Sequence, residues 1–273
     1  MFVLPLSKSQ VDKLGDRLRD LPEPDPADVE LLESVLLVYD QALQIIEGRL
    51  RLLGYAPSIR QKVTATIIKK LRRDRGFKLR AIQDLVGARV VFEGDLDLQD
   101  VAVDRFCAAH DKTEPIPKKI DRRVDPRSGY RAVHAVARVH GIPVEVQFRT
   151  ALQHRWAQIF ERLADAAGRD IRYGGQPDAG IDAGEVIEMM LILSANIAGF
   201  EELSCSEAIK EMKADVAGLQ IDYTAADEDL SEFHRQVRSN YLAYLKAFRE
   251  ARGQLERKLT ELSDRAELMG RPA

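Results

Sequence analysis

Apolar residues keep three rhythms along the chain, and each predicts a different kind of element. From Ala27 to Leu53 they recur every three or four residues, at Leu31, Leu32, Val35, Val38, Tyr39, Ala42, Ile45 and Ile46. That spacing predicts one long amphipathic helix, closed by Gly54 and Pro57. A short helix over Ser9–Arg19 precedes it. The Leu21-Pro22-Glu23-Pro24-Asp25-Pro26 run separates the two, because proline is excluded from helix interiors. A further helix begins around Thr64, with Val63, Ile67 and Leu71 on its apolar side. Ile82–Val91 reads as a helix end, a glycine turn and a buried strand. Gly94–His110 reads as a loop with a short helix.

The rhythm shortens to two residues between Gly129 and Thr150, where side chains alternate as on a strand. Val144, Val146 and Phe148 take one face of the second strand, and Glu145, Gln147 and Arg149 the other. On the first strand Val133, Ala135 and Ala137 are set against Tyr130, Ala132 and His134. The predicted turn is His140-Gly141-Ile142-Pro143. An acid, an amide, a guanidinium, an imidazole and a phenol thus share one sheet face. Solvation explains some of them but not five kinds of polar group beside strands rich in Val and Phe.

Helical spacing returns at Ala151–Asp165, with Leu152, Trp156, Ile159, Phe160 and Leu163 at core positions. Trp156 is expected to pack rather than to touch a ligand. Ile171-Arg172-Tyr173-Gly174-Gly175 breaks the chain. Helices over Asp182–Leu203 and Ser206–Leu219 follow. From Leu230, Val237, Tyr241, Tyr244, Phe248, Leu255, Leu259 and Leu262 keep a roughly seven-residue spacing, which predicts a long helix. Packing inside the molecule is favoured for it over coiling with a partner. The organisation expected is an N-terminal helical region (1–56), a core (57–176) and a helical C-terminal extension (177–273).

Charge sharpens this picture. The net charge of the 273 residues is only −3, which argues against a general polyanion binder. From Arg51 to Arg89, however, eleven basic residues face two acidic ones, and from Glu161 onward fourteen face twenty-two. A basic front and an acidic back suit an anionic ligand held at one end. Cys107 and Cys205 have no metal-ligand spacing, so free thiols in a reducing compartment are expected. Met1–Leu6 is too short for a signal peptide. No run reaches eighteen uncharged apolar residues, since Val186–Phe200 carries Glu188. The expectation is a cytoplasmic protein with no membrane partner.

Three motifs together resemble the synthetase domain of the RelA/SpoT family. They are Gly129-Tyr130-Arg131-Ala132-Val133-His134, Val144-Glu145-Val146-Gln147-Phe148-Arg149-Thr150, and Gln153-His154-Arg155-Trp156-Ala157. The resemblance runs from about Arg60 to Tyr173. It implies an α+β fold: a mixed, largely antiparallel sheet of about five strands flanked by helices, with the helical C-terminal extension. It also implies transfer of the ATP β,γ-pyrophosphate to the ribose 3′-hydroxyl of GDP or GTP, with Mg2+ as cofactor and AMP released.

The resemblance also assigns residues. Arg60-x-Lys62, Thr66 and Lys70 resemble the family's ATP-binding segment, with Thr where Ser is usual. Asp84 matches the metal-binding aspartate in Ile82-x-Asp84-Leu85-x-Gly87-x-Arg89. Arg60 and Arg89 would clamp adenine, since guanidinium planes stack on bases. Lys62, Lys70 and Arg72 would meet the phosphates. The expected metal ligands are Asp84 and Glu145, and the expected catalytic residues are Glu145, Asp84 and Arg72. Tyr130, His134, Arg127, Gln147, Arg149 and Lys119 would bind the acceptor. A lone His110-Asp111 pair lacks the other residues of the family's hydrolase and is read as coincidence.

Pro115–Ser128 departs from the family pattern. It lacks the usual tyrosine, is one residue tighter, and carries Lys118, Lys119, Arg122, Arg123 and Arg127. Acceptor identity therefore stays open among GDP or GTP, an adenine nucleotide, and the tRNA 3′ end that some toxic relatives modify. A non-catalytic nucleotide- or partner-binding module is the alternative of another class. Self-association or an antitoxin partner at the C-terminal helices is also left open.

Overall fold

The computed structural model describes residues 4–218 and 231–270. The chain forms two compact units. The first is built from the residues up to Phe92, Gln99–Asp121 and Ala132–Arg149. The second takes Glu93–Leu98, Arg122–Arg131 and the chain from Thr150 onward.

In the first unit, helix α1 (Lys8–Asp20) opens with a capping box between Ser7 and Gln10. Helix α2 (Pro26–Leu52) starts on Asp25, with Pro26 where its missing N–H costs nothing. Arg17 clamps Asp28 through two nitrogens at 2.6–3.0 Å, which ties the two helices together. Strand β1 (Ser58–Gln61), α3 (Thr64–Arg73) and β2 (Val86–Phe92) follow. Next come α4 (Leu96–Ala108), β3 (Lys118–Asp121), β4 (Val133–Val139) and β5 (Ile142–Thr150). The strands form the expected five-stranded sheet, in the order β1-β2-β5-β4-β3. The β1–β2, β3–β4 and β4–β5 pairs are antiparallel. One sheet face buries Val133, Ala135, Ala137, Val144, Val146 and Phe148 against residues from α1, α2, α3 and α4.

Local chemistry moves several expected boundaries. The hairpin turn is only His140-Gly141, with φ of 51° and 79°. Two successive positive φ values match the strand twist in such tight turns, so Ile142 and Pro143 already belong to β5. β4 begins at Val133 rather than near Tyr130, because Ser128 and Gly129 also have positive φ and turn the chain. Gly87 lies inside β2, not in a turn. The segment after Gly94 holds a helix of 13 residues, longer than its sequence suggests. His110 bonds the Cys107 carbonyl and Asp111 binds Thr113, so the two form no joint site.

The second unit is mostly helical: α5 (Ala151–Ala167), α6 (Gly184–Ser204), α7 (Glu207–Gly218) and α8 (Glu232–Met269). Its core joins Leu152, Trp156, Ile159 and Leu163 to Val186, Met190, Leu193 and Ile197. Leu259 and Leu262 of α8 complete it, so this part of the seven-residue pattern is satisfied within the unit. Trp156 is buried, stacks on Phe160 at 4.8 Å and donates to the Met190 carbonyl at 2.7 Å, a packing role as expected. The expected limits at Leu219, Leu230 and Met1–Val3 lie outside the described residues. No helix among the described residues is long and apolar enough to cross a membrane.

Candidate active site

Strand register builds the site in the first unit. His134 stands opposite Gln147, and Val136 opposite Glu145. His134, Glu145, Gln147 and Arg149 therefore project from the face opposite the core. His134 Nδ1 lies 3.0 Å from Glu145 Oε1. The Gln147 amide donates to Glu145 Oε2 at 3.0 Å, and Arg149 donates to Gln147 Oε1 at 2.8 Å. Both Glu145 oxygens are thus oriented by neighbours on the same face. Burial pushes the Glu145 carboxyl up, but His134 and Gln147 more than offset this and hold it below the usual carboxylate range.

Asp84 enters from the turn before β2. Lys62 donates to Asp84 Oδ2, and Lys70 to Oδ1 at 2.8 Å. Lys62 follows β1, while Lys70 lies one helical turn after Thr66 on α3. Burial raises the Asp84 carboxyl, yet the two ammonium groups bring it below its ordinary value. Burial also lowers Lys62, against the upward pull of Asp84. Asp84 acts on Glu145, and Glu145 acts on Lys62, so the two acids and the lysines form one electrostatic cluster.

The backbone allows this approach. β2 lies beside β5, and a Cβ at Gly87 would stand 2.8 Å from the Glu145 carbonyl oxygen. A side chain there would force the two strands apart. On β1–β2, Ser58 pairs with Arg89 and Arg60 with Gly87. Arg60 and Arg89 are therefore diagonal neighbours on one face, at a typical separation of about 7–8 Å.

Two carboxylates, one from the turn before β2 and one from β5, suit a hard divalent cation, which favours one or two carboxylates plus phosphate oxygens and water. Asp84 and Glu145 meet that description, and Lys62 and Lys70 beside Asp84 supply the charge that phosphates would also need.

Other expected site residues lie elsewhere. Arg72 donates to the Leu21 and Pro22 carbonyls at 2.6 and 3.0 Å, holding the α1–α2 connection rather than joining Asp84. Lys119 pairs with Ala135 in the register and so points to the core side, where it ion-pairs with Asp104. Lys118, opposite Val136, takes the Glu145 face instead. Strict alternation from Lys118 to Ile120 is the signal that separates them, once Ile120 is known to face His134. Arg127 and Tyr130 belong to the second unit, where the Tyr130 N–H bonds the Arg127 carbonyl at 2.9 Å. Tyr130 packs at the edge of that unit's core. Nearby, Arg131 donates to Ser194 Oγ at 3.2 Å and to the Arg123 carbonyl at 2.7 Å.

Glu201, a buried carboxyl of the second unit, is not among the residues singled out from the sequence. Its partners are Thr150 Oγ1, and the Gln153 amide at 2.8 Å. The signal was available: Glu201 continues the buried α6 stripe of Met190, Leu193 and Ile197 at helical spacing.

Residues 59–164 match the model of a region found in RelA / SpoT proteins. The chain is 34% identical over 209 residues to an uncharacterized protein of Mycobacterium tuberculosis, covering 72% of this chain and 75% of that one. An uncharacterized protein of Mycobacterium bovis matches to the same extent, 34% over 209 residues. Among solved structures, the fold is similar to small alarmone synthetase 1 from Bacillus subtilis bound to its product pppGpp. That match has a TM-score of 0.50 at 24% identity and covers 69% of this chain and 99% of the other.

Proposed function

The chain belongs to the RelA/SpoT family, and from that premise we propose that it is an ATP-dependent pyrophosphotransferase acting on the 3′-hydroxyl of GDP or GTP. The observation that carries this reading is the cluster of Asp84, Glu145, Lys62 and Lys70. Chemistry of this kind needs positioned charge more than covalent help from the protein.

In this reading, Arg60 and Arg89 hold the adenine. Their diagonal spacing of about 7–8 Å leaves room for one planar ring at about 3.5 Å from each guanidinium. Lys62 and Lys70 move from Asp84 toward the triphosphate, with Thr66 on the same helix face as Lys70. Asp84 and Glu145 would hold Mg2+, which when bound neutralises phosphate charge. Glu145, kept ionised, takes the proton of the acceptor hydroxyl, and His134 steadies it. A bond forms between the ribose 3′-oxygen and the β-phosphorus, the α–β bridging bond breaks, and AMP leaves. Tyr130 is assigned to the acceptor base by family resemblance. Gln147, Arg149 and Lys118 are assigned to acceptor phosphates or to orienting Glu145. Arg127 is kept as an acceptor contact. Arg72 is assigned to holding α3 in place. The setting proposed is the cytoplasm.

Asp84→Asn and Glu145→Gln, both folded, are expected to slow Mg2+-dependent AMP release at least about a hundredfold. Undiminished turnover in either removes that residue from the mechanism. An acceptor panel of GDP, GTP, ATP and tRNA with labelled ATP completes the test. Label on the guanine nucleotides supports the proposal, and label on tRNA alone replaces the acceptor while keeping the chemistry. ATP binding with no AMP on any acceptor returns the chain to a binding module.

A further inference from the structure

A pocket lined entirely by residues of the helical unit has a volume of about 260 Å³. At about 30 Å³ per water it would hold roughly nine waters, enough for a small one-ring molecule. One wall is aromatic. Phe248 stacks on Phe200 at 4.7 Å and is tilted against Tyr244 at 5.7 Å. The polar lining carries both signs of charge. Asp95 and Glu201 supply carboxyl groups, and Lys213 and Arg252 supply cations.

Two of these groups are already held by neighbours. Arg252 bridges Glu93 and Glu256 at 3.1 and 2.9 Å. Glu201 is only 4% exposed and receives hydrogen bonds from Thr150 and Gln153, both neutral donors. A neutral pair of donors orients a carboxylate but leaves its charge unbalanced. Burial accordingly pushes this carboxyl above its ordinary range, against those hydrogen bonds and the more distant Arg123 and Arg131. A ligand cation placed beside Glu201 would supply the balance. Lys213 has no acidic partner among the described residues, so it offers an ammonium to a ligand anion.

We propose that this cavity binds a free α-amino acid with an aromatic or branched apolar side chain. Its ammonium would meet Glu201 and Asp95, its carboxylate Lys213 and Arg252, and its side chain the Phe200–Phe248 wall. A ligand without an ammonium leaves Glu201 uncompensated, one without a carboxylate leaves Lys213 without an anion, and one without an apolar group leaves the aromatic wall in contact with water. The pocket shares no residue with the cluster of Asp84, Glu145, Lys62 and Lys70, so the two proposals stand or fall separately.

Calorimetric titration of the full chain tests it with phenylalanine, leucine, glycine, phenethylamine and phenylacetate. Phenylalanine or leucine is expected to bind at least about tenfold more tightly than glycine or either singly charged analogue, because two ionic contacts and the apolar contact act together. Lys213→Ala, on the surface, and Phe248→Ala should each weaken that binding about tenfold or more, with thermal melting confirming that both fold. The proposal is overturned if neither apolar amino acid binds. It is equally overturned if phenylacetate or phenethylamine binds as tightly, if glycine does, or if Lys213→Ala leaves the affinity unchanged.

Discussion

Asp84 and Glu145 in the sheet unit and Glu201 in the helical unit are all pushed upward by burial, yet they end on opposite sides of the ordinary carboxylate range. Desolvation disfavours the charged form in every case. What differs is the partner. Asp84 has two ammonium groups, and Glu145 has an imidazole and an amide. Glu201 has a hydroxyl and an amide. Charged partners can outweigh desolvation where neutral donors do not. The sheet face is therefore equipped to keep two acids ionised close together, an arrangement suited to cations and phosphates. The helical unit instead encloses one acid that lacks a full counter-charge.

The sheet face is most easily disrupted at Gly87. An alanine Cβ there meets a backbone oxygen of Glu145, which cannot rotate away as a side-chain tip could. Gly87→Ala is expected to destabilise the protein by about 3 kcal/mol, the upper end for forced overpacking. It should also displace Glu145 and abolish AMP release, while phenylalanine titration at the helical cavity stays as in the parent. A urea midpoint within error of the parent would show that β2 and β5 have slack. A smaller effect is expected from Lys62→Met, which removes one of the two cations on Asp84. Charge-assisted hydrogen bonds contribute about 1.5–3 kcal/mol, and the net loss falls at or below the lower end because Asp84 is a third exposed, Lys70 remains and the burial penalty on Lys62 is relieved. The sign with pH follows from a depressed folded value. The Asp84 contribution is present in full above the unfolded aspartate value of about 3.9 and is lost as pH falls through the lower folded value. The gap between parent and Lys62→Met should accordingly be full at pH 7 and close in acid, as urea midpoints at several pH values would record.

These two positions also show what the sequence can and cannot reveal. Period-two alternation placed Glu145, Gln147 and Arg149 on one face and Val146 and Phe148 on the other, and the register agrees. Helical spacing found α2, α5 and α8 because each has a sustained apolar stripe. Alternation alone could not choose between Lys118 and Lys119, since a strand of four residues has no apolar face strong enough to anchor its phase. Nor could it show that Arg72 spends its guanidinium on the Leu21 and Pro22 carbonyls, which are about fifty residues away in the chain. Proline-rich loops expose backbone oxygens without announcing which side chain will satisfy them. Gly87 looked like a turn because glycine usually marks one, whereas here its missing Cβ lets two strands approach.

The smallest effect, and the most discriminating, belongs to Glu201. A raised folded value gives the opposite slope to Asp84. The favourable contribution is present in full below the unfolded glutamate value of about 4.3 and is lost as pH rises through the higher folded value. Once it ionises, the native state carries a buried carboxylate that the unfolded chain would solvate. Glu201→Gln deletes that titration. Its amide oxygen can still accept one hydrogen bond, while its NH2 meets a donor that once pointed at carboxylate oxygen. The two changes oppose each other, so stability at pH 7 should stay within about 1 kcal/mol of the parent. The informative quantity is the slope between pH 4 and 7. There the parent is expected to lose stability relative to Glu201→Gln with each rise in pH, while Lys62→Met against the parent runs the other way. Parallel pH curves for parent and Glu201→Gln would mean that Thr150 and Gln153 stabilise the charge as fully as the lysines do for Asp84. In that case neutral donors suffice, and the distinction between the two units rests on geometry rather than on charge.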